Sequence, residues 1–358
     1  MKIHSKKGLF LMGVLAGLVA VALAVFGNPK NMAICIACFI RDIAGSMKFH
    51  SAGVVQYFRP EIAGIIFGSF LISLYRKEFK ATAGSSTVLR FFLGVIMMIG
   101  ALVFLGCPTR MVLRMSAGDL SAWIGLIGFV AGVSTGVLFL KKGFSLGRNY
   151  ENKAVAGAAF PVALMILTIL SGITTWFVAS KAGPGSIHAP FMIALTGGLL
   201  FGVIAQLSRM CFAGSIRDIL LMRSVDLALI IGGIFVVMLV YNIATKQFAL
   251  TATGPVGHTA KLWNILGMYV VGFAAVLLGG CPLRQLVLVG QGSGDSAVTF
   301  LGMFVGAAAA HNFNLAAAPA NLAKGLSGGP AVSGQIAIVV CLVALFGIAW
   351  MNLRRKVK

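Results

Sequence analysis

The sequence predicts an all-α polytopic membrane protein, an inverted internal repeat of about ten transmembrane helices with four short re-entrant or half-helix segments. Three observations carry that expectation: an apolar composition, basic residues confined to short connections, and motifs that recur once in the same order. The chain has 358 residues, 59% hydrophobic, with 29 Lys+Arg and 8 Asp+Glu, so 10% are charged. A soluble domain is about a quarter charged, and so few charges cannot cover a water-facing surface. This excludes a soluble enzyme, a disordered chain and a disulfide-stapled secreted domain.

Apolar runs bounded by charge or Gly/Pro place long helices near 8–27, 61–75, 88–106, 120–140 and 154–180. Five more follow near 190–207, 225–245, 262–280, 296–310 and 334–353. A span needs about 20 apolar residues. The pieces 32–45, 107–117, 209–221 and 281–290 are too short to cross. The run after Lys6-Lys7 is longer than a usual signal core, which argues for a first span rather than a cleaved leader.

The net charge of +21 sits in short connections such as Arg76-Lys77, Lys141-Lys142 and Arg354-Arg355-Lys356. That distribution is topogenic and speaks against nucleic-acid binding. With ten spans and an inside N-terminus, 19 Lys/Arg fall in inside segments and 10 in outside ones, which places both termini in the cytoplasm. The shortage of carboxylates gives any internal cavity a positive potential suited to an anion.

The repeat is visible in three motifs. Cys38-Phe39-Ile40-Arg41-Asp42-Ile43 returns as Cys211-Phe212, three extra residues, then Ile216-Arg217-Asp218-Ile219. Gly106-Cys107-Pro108-Thr109-Arg110 returns as Gly280-Cys281-Pro282-Leu283-Arg284, and Gly118-Asp119 as Gly294-Asp295. The copies occupy 1–150 and 190–310, the helix at 154–180 links them, and 334–353 forms a C-terminal span. An even-numbered repeat followed by one linking span inverts the second copy, an arrangement that secondary transporters use to place a site near the midplane. Irregular backbone at membrane depth is tolerated beside a water-filled path.

Pro108 and Pro282 suit the first position of a new helix, which makes Cys107 and Cys281 N-caps of half-helices. Unpaired N–H groups and the positive pole of the dipole make such a terminus an anion site. Arg110 and Arg284, one turn on, add charge; the plainer alternative is a proline kink with a buried apolar thiol. Arg41-Asp42 and Arg217-Asp218 read equally well as path lining or as struts, because intramembrane charges line pathways or pair with each other. Asp119 and Asp295 read as caps of the helices that follow them.

Symmetry groups Cys38, Cys107, Cys211 and Cys281; Cys35 forms a lone Cys-x-x-Cys with Cys38, its positional counterpart being Ser208. No second pair and no His cluster completes a zinc site, and His4, His50, His188, His258 and His311 show no ligand spacing. Cys341 reads as packing. Gly64/Gly68, Gly128/Gly132/Gly136, Gly198/Gly202 and Gly302/Gly306 read as small-residue packing faces. No phosphate-binding loop or Gly-x-Ser-x-Gly motif appears, so neither an ATP-driven pump nor an enzyme is expected, and no cofactor or metal is implied. No carboxylate stands apart as a proton carrier, which leaves passive conduction open.

Cys35-Ile-Ala-Cys-Phe-Ile-Arg-Asp-Ile-Ala-Gly45, the two Gly-Cys-Pro-x-Arg motifs and Lys141-Lys-Gly-Phe-Ser-Leu-Gly147 together resemble the YedE selenium transporters, within the wider YeeE/YedE family that includes thiosulfate importers. The resemblance runs from about residue 8 to about residue 350. It implies a bacterial inner-membrane protein with cysteines along a central path, associated with small TusA-like sulfur carriers. It assigns the passage of the anion to Cys107 and Cys281 first, then to Cys38 and Cys211. The Cys-Pro-Thr-Arg and Cys-Pro-Leu-Arg surroundings differ from the thiosulfate branch, so the resemblance points to the path more than to the substrate. The expected function is import of a small selenium- or sulfur-containing oxyanion. A rival from another class is a membrane thiol-disulfide oxidoreductase, which requires two thiols close enough to bridge.

Overall fold

The computed structural model describes residues 5–353; His4 and Arg354-Arg355-Lys356 lie outside the described residues. The first half contains α1 (Lys6–Val25), α2 (Ile36–Ser46), α3 (Pro60–Tyr75), α4 (Thr87–Val103), α5 (Pro108–Ser116) and α6 (Leu120–Lys141). After α7 (Ala154–Ile173) the second half repeats that order as α8 (Phe191–Leu207), α9 (Phe212–Met222), α10 (Asp226–Ala244), α11 (Lys261–Leu277), α12 (Pro282–Gly290) and α13 (Gly294–Asn312). The last helix is α14 (Val332–Met351). Among the described residues the named strands form one two-residue antiparallel pair, Thr82–Ala83 with Tyr150–Glu151.

Eight helical stretches are long and apolar enough to cross a membrane, and this is a multi-pass all-α membrane protein. Three of the eight, 87–116, 191–222 and 261–290, each join a long helix to a half-helix. α3 is apolar but only 16 residues long. The long helix hands over to the half-helix through a left-handed residue. Leu105 (φ 61°) ends α4 and Gly279 (φ 81°) ends α11. The following amides, Gly106 N and Gly280 N, donate back to Ala101 O and Ala275 O. Closing the helix this way satisfies its last carbonyls before the chain turns.

One expected boundary differs. The run expected to continue to 180 ends at Ile173, because the backbone beyond finds other partners. Val178 N donates to Ser46 O and Ser180 N to Gln56 O, so this segment covers the end of α2 instead of extending α7.

Packing follows the duplication. α1 lies on α10 and α8 on α3; α4 lies on α13 and α11 on α6. The half-helices obey the same exchange: α5 meets α10 and α12 meets α3, while α9 meets α6 and α2 meets α13. Glycines set the close approaches. A Cβ on Gly64 or Gly68 would strike the backbone of α8, and one on Gly198 or Gly202 that of α3. Gly128 and Gly132 abut α11, and Gly302 and Gly306 abut α4, in the same manner. Close backbone approach is how apolar helices associate where lipid removes the hydrophobic drive between them.

Candidate functional site

All four half-helices begin on a cysteine. Cys35 caps α2, Cys107 α5, Cys211 α9 and Cys281 α12, each in extended backbone, with Pro108 and Pro282 opening α5 and α12. Cys35 Sγ accepts from Cys38 N at 3.4 Å, and Cys211 Sγ accepts from Gly214 N at 3.2 Å. This corrects the repeat alignment. The structural counterpart of Cys211 is Cys35, not Cys38, and Cys38 stands where the second half has Gly214. Without any inserted residues, Ile40-Arg41-Asp42-Ile43 then falls on Ile216-Arg217-Asp218-Ile219.

The caps meet in pairs. Cys35 Sγ lies 3.9 Å from Cys107 Sγ, and the backbone amides of Ala37 and Arg110 point at Cys107. Cys38 completes this first cluster, held by Arg110 Nη1 at 3.7 Å. In the second half Cys211 and Cys281, the N-caps of α9 and α12, lie near enough for each thiol to feel the other's charge. Each cluster thus sits where the N-termini of two half-helices converge, in the combined positive field of their unpaired amides. All six cysteines are free thiols, and Cys341 sits on the buried face of α14.

The two arginines of the Gly-Cys-Pro motifs differ in their bonding. Arg110 is fully buried and its donors are engaged: Leu105 O, Asn31 O at 3.3 Å, Pro255 O at 3.1 Å and Val256 O at 3.4 Å. Arg284 makes no ion pair among the described residues, and its buried Nη1 has no hydrogen-bond partner. It faces a cavity of about 570 Å³ lined also by Cys211, Ser208, Arg209, Arg217 and Asp218. A charged buried donor without an acceptor is costly, and an anion in that cavity would satisfy it.

The Arg-Asp pairs divide between the two roles expected of them. Arg41 and Asp42 are buried and bonded to each other at 2.7 Å, and Arg59 closes on the second Asp42 oxygen at 2.9 Å, a strut bracing α2. Arg217 and Asp218 pair at 2.8 Å but remain 31% and 14% exposed on the cavity wall. Asp119 caps α6, accepting from Ser121 N at 2.9 Å, and also binds Arg114 at 2.7 Å. Asp295 does not cap its own helix. Ser293 caps α13, while Asp295 reaches across to Gly84 N at 2.9 Å and Ser85 Oγ at 2.6 Å, ahead of α4.

Four participants were absent from the sequence reading: Arg59, Arg114, Arg209 and Glu78. Arg209, at the cavity mouth, is held by Glu78 Oε2 at 3.0 Å, and Gln206 donates to the same oxygen at 3.1 Å. Arg209 and Arg59 have no counterpart in the motifs.

The family described as sulphur transport matches residues 207–358, which contain α9, α12, Cys211, Cys281 and Arg284. The match covers less than half of the chain, most of its second half and its C-terminal helix. A thiosulfate transporter, TsuA, from Spirochaeta thermophila is 30% identical over 95 residues, covering 26% of this chain and 28% of the relative. The chain therefore spans little more than a quarter of the curated relative it matches. The family match begins four residues ahead of Cys211 and takes in the whole second thiol cluster.

Proposed function

We propose that this protein belongs to the YeeE/YedE family and imports a small sulfur- or selenium-containing oxyanion, thiosulfate or a selenium compound, through the bacterial inner membrane along its two thiol clusters. One observation carries the reading: cysteine-capped half-helices meet in pairs, and the second pair opens on a cavity that presents the unpartnered Arg284. Convergent amides suit the negative oxygens of such an anion. Polarizable thiols with weak S–H donors suit its soft sulfur or selenium atom. The name of the Spirochaeta relative favours thiosulfate among the sulfur species.

The anion crosses between Cys35, Cys38 and Cys107 in the first half and Cys211 and Cys281 in the second. The two halves, 1–150 and 190–310, are inverted repeats, so the first cluster is approached from the periplasm and the second from the cytoplasm. The exchange of helix contacts between the halves supports this duplication. Both termini are cytoplasmic, as the basic loops favour, and a TusA-like sulfur carrier would receive the anion at the cytoplasmic cavity. The oxidoreductase reading meets its requirement for neighbouring thiols at Cys35 and Cys107, but it is less favoured because the matching family is described as sulphur transport and the relative is named a transporter.

The deciding experiment is uptake of labelled thiosulfate and labelled selenite by proteoliposomes holding the purified protein. Saturable uptake of one label, competed by the other's unlabelled anion according to preference, is expected. Failure of both labels to enter correctly reconstituted vesicles would refute the transport reading.

A further inference from the structure

Glu61 has no role in the thiol path, yet it is fully buried in the first turn of α3. Asn28 Nδ2 donates to its Oε1 at 2.7 Å, and its Oε2 has no partner. Among the elements against α3, the helices α7 and α8 carry no titratable side chain, α2 brings Cys38, Arg41 and Asp42, and α12 brings Arg284. The groups whose charge reaches Glu61 are Arg59 and Asp42, with Tyr57 in the loop before α3. Arg59 is already committed, with Nε on Asp42 and its other nitrogens on Ile187 O at 3.1 Å and Pro184 O at 2.9 Å. Arg41 is spent on the same aspartate. Glu61 thus lacks the cation that a buried carboxylate ordinarily requires. The helix dipole at the first turn of α3 still makes the ionised form attainable.

We propose that Glu61 is a proton-binding site that couples the movement of the anion to that of a proton; this rests on the transport reading above. Its partner Asn28 lines a cavity of about 670 Å³ together with Asn31, Pro255 and Val256, and water in that cavity trades a proton with Glu61 when the Asn28 amide turns aside. The Glu61 oxygens take a proton from water on one side of the membrane and return it on the other, with no bond made or broken besides O–H. Coupling to the anion runs through one short turn. Asn28 binds Glu61 on one side of the turn Lys30–Met32, and within that turn Asn31 accepts Arg110 Nε through its carbonyl and donates its amide to Pro255 O. Arg110 in turn holds Cys38. A change of charge at Glu61 is therefore passed from Asn28 along the short backbone of residues 28–31, and from Asn31 through Arg110 to the first thiol cluster.

The test uses proteoliposomes with trapped pyranine and the membrane potential clamped by potassium and valinomycin. Added thiosulfate is expected to acidify the lumen of wild-type vesicles. A one-unit inward proton gradient should raise thiosulfate accumulation by up to about tenfold for one coupled proton. Glu61→Gln, which can still accept from Asn28, should lose acidification and gradient dependence at least tenfold while retaining thiosulfate–thiosulfate exchange. Entry of labelled thiosulfate into wild-type vesicles without acidification would overturn the coupling and leave the transport reading standing. Wild-type acidification by Glu61→Gln would do the same. If the variant does not reconstitute, the wild-type proton measurement decides alone, and absence of any thiosulfate exchange in wild type would overturn both readings.

Discussion

Arg284 separates the two copies of the Gly-Cys-Pro-x-Arg motif. Its twin, Arg110, is held by four carbonyls and one thiol, whereas Arg284 waits beside Cys211 without an acceptor. Arg284→Gln should therefore leave folding intact, since no ion pair is lost. It should raise the half-saturating anion concentration roughly 10- to 100-fold, the span that a charge-assisted hydrogen bond of about 1.5–3 kcal/mol represents. Unchanged half-saturation in vesicles would show that Arg284 does not meet the anion. Glu78 acts on the neighbouring cation: it neutralises Arg209 at the cavity mouth, so Glu78→Gln is expected to lower half-saturation.

Partial burial works to raise the Glu78 carboxyl, but the Arg76 hydrogen bond, the Arg209 charge and the Gln206 amide outweigh it and hold the group below its ordinary value of 4.5. A carboxyl depressed in the fold contributes stability above its ordinary value and loses it as pH falls further. The apparent melting difference between wild type and Glu78→Gln, measured by fluorescence, should be present at pH 7 and fade as pH falls below 4.5. At this scale the sequence was partly legible. Gly-Cys-Pro announces an N-cap from local geometry alone, and Cys107 and Cys281 are both caps. Cys35 was misread because a Cys-Phe dipeptide occurs at both 38–39 and 211–212, and matching it forces a gap that an ungapped alignment avoids. Glu78 and Arg209 lie 131 positions apart in sequence and meet only through the fold.

Helix contacts rest on glycine rather than on charge. A leucine at Gly202 would drive its Cβ into the carbonyl of Ile65, and the α3–α8 contact has no flexible side chain there to yield. Overpacking a tight core costs about 1–3 kcal/mol or more, so Gly202→Leu should lower the apparent melting temperature and yield of monodisperse protein. Gly232 and Gly347 have open space where a Cβ would stand, and Gly232→Ala should be neutral or slightly stabilising in the same assay. A stable Gly202→Leu protein would mean that the α3–α8 contact is not set by close packing. The element boundaries were legible because apolar runs end at Gly, Pro or paired basic residues. The exceptions arose where distant backbone intervened, as when 174–180 folds onto α2, or when Asp295 leaves its own helix to bind Gly84 and Ser85.

Over the whole molecule, the order of six helices occurs twice, and exchanging the halves maps their contacts onto one another. Symmetry does not extend to the accessibility of the two clusters. The first is sealed by Arg110 and the loop at Pro255–Val256, while the second borders an open cavity. That asymmetry was not legible in the motifs, because it depends on Asn31 and on a loop 145 residues from Arg110. A reporter fused to the C-terminus should be active only as a cytoplasmic probe, and a periplasmic signal would reverse the assignment of the open cavity.

The most direct measurement is the initial rate of labelled thiosulfate uptake into proteoliposomes for wild type, Cys107→Ala and Cys281→Ala, each checked for folding by its elution profile. Each substitution alone is expected to abolish uptake, since the proposed path runs through both clusters. Wild-type rates in either folded variant would contradict passage through the paired thiols.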